Sequence, residues 1–170
     1  MFAPRTVVGS LLAVILTASA LGAQNPAPAD SSRDDLPRVF LDCQATSPFS
    51  SSEPHEQWAT GSLYDNVEAP LTARFWKNIT IGWAGANTVF WNCEGDFLVQ
   101  KPPTAQNFSF GHLGVNAVIF NIPLQDSTKE NGHIESLGRH VTPRSLYLTR
   151  RRERLGDAAV RQVALASQID

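Results

Sequence analysis

Apolar residues along this chain fall in short runs broken by Gly, Asn and Pro, and the densest of them lie between Leu63 and Gly114. The centre of that stretch, from Phe75-Trp76-Lys77-Asn78 through Gly82-Trp83 to Phe90-Trp91-Asn92-Cys93, holds three of the four tryptophans. Runs rich in aromatic and β-branched residues, closed by turn formers, predict strands of about five residues joined by tight turns. No apolar stripe recurs there at helical spacing, which argues against helix. Ahead of it, Val39-Phe40-Leu41 predicts a strand ending in Asp42-Cys43. Residues 44–57 predict a long polar surface loop that delivers Pro54-His55-Glu56-Gln57-Trp58, and such loops on a β scaffold carry binding groups. Lys101-Pro102-Pro103-Thr104 predicts a rigid turn that breaks the ladder. Further strands are expected in 105–114 and 115–122, and residues 124–141 read as polar loop.

Four segments echo one another: Phe40-Leu41-Asp42-Cys43, Leu63-Tyr64-Asp65-Asn66, Phe75-Trp76-Lys77-Asn78 and Phe90-Trp91-Asn92-Cys93. Each has two large apolar residues, a polar residue, then Asn or Cys, and Ile119-Phe120-Asn121-Ile122 is a weaker fifth copy. Their irregular spacing suits a solenoid with turns of variable length. Stacked rungs repeat about 4.8 Å apart, so Asn66 beside Asn78 is expected to form an Asn ladder. On the same register Cys43 and Cys93 stand on the first and fourth rungs, roughly 14 Å apart. A disulfide needs Cα atoms within about 7 Å. Two buried free thiols are therefore expected.

The two ends differ from the middle. Arg5 followed by an apolar run from Val7 to Leu21, with small-residue cleavage sites at Ala18-Ser19-Ala20 and Leu21-Gly22-Ala23, reads as a signal peptide over 1–23. A secreted, extracellular protein is expected. Residues 24–37 form a Pro/Ser/Asp linker, 38–141 the β region, and 142–170 a helical cover. Thr142-Pro143 is expected to cap a helix reaching about Leu155 and stopped by Gly156, with Asp157 capping a second through Leu165. The Arg150-Arg151-Arg152-Arg154 cluster reads first as a solvated face. An N-glycan is possible at Asn78-Ile79-Thr80 and at Asn107-Phe108-Ser109 in a eukaryotic host.

Composition narrows the picture only a little. The chain has 170 residues, 42% hydrophobic, enough for one domain with a core. The formal charge of −2 gives no reason to expect nucleic acid as a partner. No run after position 25 is long and apolar enough to span a bilayer. A monomer is expected.

The run Gly82-Trp83-Ala84-Gly85-Ala86-Asn87 with Val89-Phe90-Trp91-Asn92-Cys93 resembles a segment of secreted right-handed parallel β-helix proteins with a pectate-lyase-like fold. So do Trp58-Ala59-Thr60-Gly61 with Leu63-Tyr64-Asp65-Asn66-Val67, Val99-Gln100 with Pro102 to Asn107, and Val141 to Tyr147. The resemblance covers about Val39 to Leu155 and is to the C-terminal third of longer proteins. Where the family pattern has a Gly-His pair, this chain has Thr80-Ile81. The resemblance implies a mainly β fold, a short right-handed parallel β-helix with a C-terminal helical cap, and polysaccharide as the substrate class.

A lyase of that kind needs acidic residues to hold Ca²⁺ and an Arg or Lys base, whereas a glycoside hydrolase needs two carboxylates. Asp65, Arg74 and Lys77 are the catalytic candidates, with Glu68, Glu94 and Asp96 as the remaining acids of the β region. Their spacing dictates neither mechanism. His55 and Trp58 form a sharper pair, an imidazole and an indole that suit a sugar hydroxyl and a sugar face, with Trp83 as a further platform. His112, His133 and His140 lack partners at metal-ligand spacing, so no metal site is expected. Three readings stand: a carbohydrate-active enzyme, a non-catalytic glycan-binding or cell-surface module, and a truncated chain without activity.

Overall fold

The computed structural model describes residues 38–55, 58–77, 82–116 and 126–169. All lie within one compact unit spanning Asp35–Asp170. The expected signal peptide, linker, Asn78 sequon and 119–122 copy lie outside the described residues.

Among the described residues nine short strands, β1 Val39–Leu41, β2 Ala59–Thr60, β3 Leu63–Asp65, β4 Leu71–Ala73, β5 Gly85–Ala86, β6 Val89–Trp91, β7 Phe97–Val99, β8 Phe108–Phe110 and β9 His133–Glu135, wind into a parallel β-solenoid of about three turns. Three parallel sheets form its faces, in the orders β1-β3-β6-β8-β9, β2-β5 and β4-β7. The pairings Ala59↔Gly85, Leu63↔Val89 and Leu71↔Phe97 share one sequence offset, so residues 59–73 stack on 85–99 in a single register. Short strands suffice because every coil is covered above and below by its neighbours.

One corner explains the repeat. Asp42, Asn66, Asn92, Gly111 and Ser136 each follow a strand of the largest sheet, and all have positive φ, between 49° and 68°. Asn, Asp and Gly tolerate this left-handed backbone better than other residues. At Gly111 a Cβ would fall 2.2 Å from Asn92 Oδ1, so only glycine fits. The backbone N–H groups at this corner run from rung to rung: Asp42 to Asp65 O at 2.9 Å, Asn66 to Trp91 O at 2.9 Å, Asn92 to Phe110 O at 2.8 Å and Gly111 to Glu135 O at 3.0 Å.

This register corrects the expected one. Phe40 pairs with Tyr64 and Tyr64 with Phe90, so the second echo is shifted by one residue. Phe75-Trp76 is no rung of this sheet; Phe75 instead bridges Trp83 in antiparallel fashion. Asn66 therefore stands beside Asn92, and the expected ladder partner Asn78 lies outside the described residues. Cys43 and Cys93 fall one rung on either side of Val67, and both are free, but Cys43 is exposed and only Cys93 is buried. Residues 133–135, expected as loop, form β9.

Inside the coil, Leu71, Phe90, Phe97 and Val99 are fully buried. A buried phenylalanine contributes about 1.5–3 kcal/mol. His112 shares this interior, stacked on Phe97 with ring centroids 3.9 Å apart and Nε2 2.9 Å from Gly95 O. Burial lowers its pKa to about 4, so it is neutral at pH 7.

The outer face of the largest sheet is covered by the C-terminal chain. Trp91 Nε1 donates to Pro143 O at 2.9 Å, and Asn92 holds Val141 through both amide ends, at 2.7 and 2.8 Å. These bonds keep Val141–Arg144 out of a helix, so the expected Thr142 cap gives way to Ser145, whose hydroxyl accepts from Leu148 N. Helix α1 runs Leu146–Leu155 and ends at Gly156, and α2 is confined to Asp157–Arg161, shorter than expected.

Candidate functional site

The candidate site lies where the solenoid begins. Among the described residues β1 has a neighbour on one side only, and the interior column that buries Tyr64 and Phe90 leaves Phe40 38% exposed. An open cleft of about 610 Å³ forms there, with Phe40, Tyr64, Val67 and Ala69 among its apolar lining and Gln44, Ser51, Ser52, Glu53 and His55 as its polar rim. The Phe40 and Tyr64 rings stack with centroids 4.7 Å apart and make an aromatic floor. Burial, reinforced by the charge of Glu53, pushes the Tyr64 phenol well up, so it stays a neutral hydroxyl.

The wall beneath the rim is a polar network. Glu53 Oε2 accepts from Thr72 Oγ1 at 2.6 Å and from Arg74 Nε at 3.0 Å, and Ser51 Oγ lies 3.2 Å from Thr72 Oγ1. The Arg74 guanidinium sits over the Trp76 ring, 3.8 Å from its centroid, and His55 meets the same ring edge-on at 5.8 Å. Beyond it, Trp58 packs on Trp83 at 6.5 Å, and Trp83 on Phe75 at 5.4 Å. Trp58 is 41% exposed and has φ 58°, a strained backbone for a bulky aromatic.

Of the sequence candidates, His55 and Trp58 are exposed here, while Trp83 is buried and presents no sugar platform. Arg74 is fully buried in the wall, and Lys77 is exposed. Asp65 is elsewhere and fully buried: it accepts the Ser145 hydroxyl and the Tyr147 N–H at 2.7 Å each. Burial raises its pKa to about 6, against these hydrogen bonds. Asn107 is also buried, its amide donating to Gly85 O and Gln100 O, so a glycan there is incompatible with the packing. Glu53, Thr72, Phe40 and Trp76 were absent from the sequence-derived candidates. Thr72 and Glu53 meet across a coil, and no local spacing signals that.

A second, polar groove of about 650 Å³ runs along the corner, but its charged groups are engaged with one another. Glu68 accepts from Gln44 at 2.7 Å, Asp42 from Arg144 at 2.6 Å, and Glu94 lies 3.5 Å from His140. Three arginines of α1 have partners at the surface: Arg150 pairs with Glu153, Arg151 donates to Ala159 O, and Arg152 meets Asp157 at 2.9 Å, while Arg154 is exposed. Among the described residues no three His, Cys, Asp or Glu side chains gather as a metal site, so the Ca²⁺ of a lyase has no donor set among them. No helix among them is long and apolar enough to cross a membrane.

The parallel β-solenoid agrees with the β-helix fold expected from the sequence. No protein-family model, curated protein or solved structure matches the chain, so the fold stands on its own geometry.

Proposed function

We propose that this is a secreted glycan-binding module whose sugar site is the cleft at the open end of the solenoid. The observation that carries the reading is the pairing of an aromatic floor, Phe40 on Tyr64, with a rim of hydroxyl, amide, carboxylate and imidazole groups. A sugar ring offers one apolar face for stacking and hydroxyls around its edge for such a rim. The strained, half-exposed indole of Trp58 supports the same reading, as a second stacking surface beyond His55. Binding is favoured over turnover because Glu53 is the sole carboxylate lining the cleft among the described residues, and hydrolysis needs two. Asp65 is committed to structural contacts, and Arg74 is held by Glu53 through its Nε–H.

The test is a polysaccharide screen followed by calorimetry on the best ligand. Phe40→Ala and His55→Ala are each expected to weaken binding about fivefold or more, with the circular dichroism spectrum unchanged. Sugar-end release should stay at background. Binding indifferent to both substitutions sinks the assignment of the cleft. Steady product release from a polysaccharide replaces binding with lyase or glycosidase activity.

A further inference from the structure

Behind the cleft wall, three hydrogen-bond donor atoms stand together without acceptors among the described residues. Arg74 has no exposed surface, yet only its Nε–H is used, on Glu53. Its Nη1 and Nη2 and the Nε1 of Trp76 are buried and have no hydrogen-bond partner among the described residues. The guanidinium lies directly over the indole, so the three belong to one small region. A buried donor left unpaired costs about 1–3 kcal/mol, and more when charged. Glu53 does not relieve it, because the oxygen facing this group is already shared by Thr72 Oγ1 and Arg74 Nε. The stacked ring and the Glu53 contact hold the guanidinium with its terminal fork free. That fork matches two oxygens of a carboxylate, sulfate or phosphate.

We propose that Arg74 and Trp76 form a binding site for a small oxyanion, supplied either as a free inorganic anion or as an acidic group on a glycan. This goes beyond glycan binding at the cleft and does not depend on it. Glu53 already balances the charge of Arg74, so selectivity comes from geometry: two terminal nitrogens on one side and an indole N–H beside them. Because bulk water does not reach these donors, the wall must open locally to admit the ion, and exchange is slow.

The test follows the indole N–H resonances of the ¹⁵N-labelled full chain during titration with acetate, sulfate or phosphate against chloride at constant ionic strength. Trp76→Phe, which keeps the ring and removes the donor, identifies the Trp76 signal by its loss. Saturable replacement of that signal by a displaced one, abolished by Arg74→Lys, supports the site and assigns a free anion as its ligand. A shift produced only by a sulfated or uronate-bearing oligosaccharide, and not by its neutral counterpart, supports the site with the glycan as source. If no anion in either form moves the Trp76 signal, the proposal is overturned and the donors hold water. Melting temperature gives a second readout should Arg74→Lys fail to fold. The anion-dependent rise of the wild type should then be smaller in Trp76→Phe, and an equal rise in both overturns the site.

Discussion

The carboxylate of Asp65 accepts the Ser145 hydroxyl and the Tyr147 backbone N–H on one oxygen, each at 2.7 Å, so the first turn of α1 is bonded directly to the second rung of the largest sheet. Asp65→Ala leaves both buried donors unpaired. A loss of about 2–4 kcal/mol is expected, read by urea denaturation as a lower midpoint with unchanged slope. Asp65→Asn keeps one acceptor oxygen and should cost less.

Acid dependence follows from two buried groups that work against each other. Folding raises Asp65 from 3.8 to about 6, so its contribution is present at low pH and is lost as pH rises through about 6. Folding lowers His112 from 6.5 to about 4, so its contribution is present above 6.5 and is lost as pH falls through about 4. Across about pH 4–6.5 the two slopes oppose and flatten the wild-type profile. Asp65→Asn should uncover the histidine slope, with stability falling on acidification. His112→Gln should uncover the reverse. Denaturation midpoints measured at half-unit pH steps decide; parallel profiles for all three proteins contradict the assignment.

The thiols should separate cleanly. Cys43 is exposed, whereas Cys93 has no exposed surface and burial pushes its thiol up to about 12. The reactive form is the thiolate. One thiol per native chain should react with a disulfide reagent, and a second only in denaturant.

Asn92 joins two roles, a left-handed corner with φ 50° and the clamp on Val141 and Arg144. Asn92→Gly keeps the backbone preference and loses the clamp, about 1–3 kcal/mol. Asn92→Ala loses both and should be less stable than the glycine variant by a further ~1 kcal/mol. Thermal melts of the pair distinguish the two roles.

Much of the coil was legible in the sequence. The copies at Phe40 and Phe90 stack in true register, because both place an aromatic residue inward two positions before a corner. Leu63-Tyr64 slipped by one because both residues are apolar, and a pattern of period two cannot choose between adjacent apolar positions. β9 escaped notice because His133 and Glu135 face outward at the last paired strand and carry no apolar signal. Thr142 and Ser145 are equally good caps by type; the choice is made by Asn92, about fifty residues earlier, holding the Pro143 and Arg144 carbonyls between them. The cleft was legible only in part. His55 and Trp58 stood out as a loop motif, but Glu53, Thr72 and Arg74 converge through the winding of one coil, which no linear spacing encodes.

The C-terminal cover has a consequence for the order of folding. Each coil pairs with the next along the chain, so the sheets can grow by neighbouring additions. The bonds from Asn66, Asn92 and Asp65 to residues 141–147 instead span sequence separations of 49 to 82. Closing such wide loops is slow. The coils should therefore assemble first, with Trp91 and Asp65 facing water on a bare sheet, and the clasp should shut last. During that interval the growing molecule is most open to association with a second copy of itself.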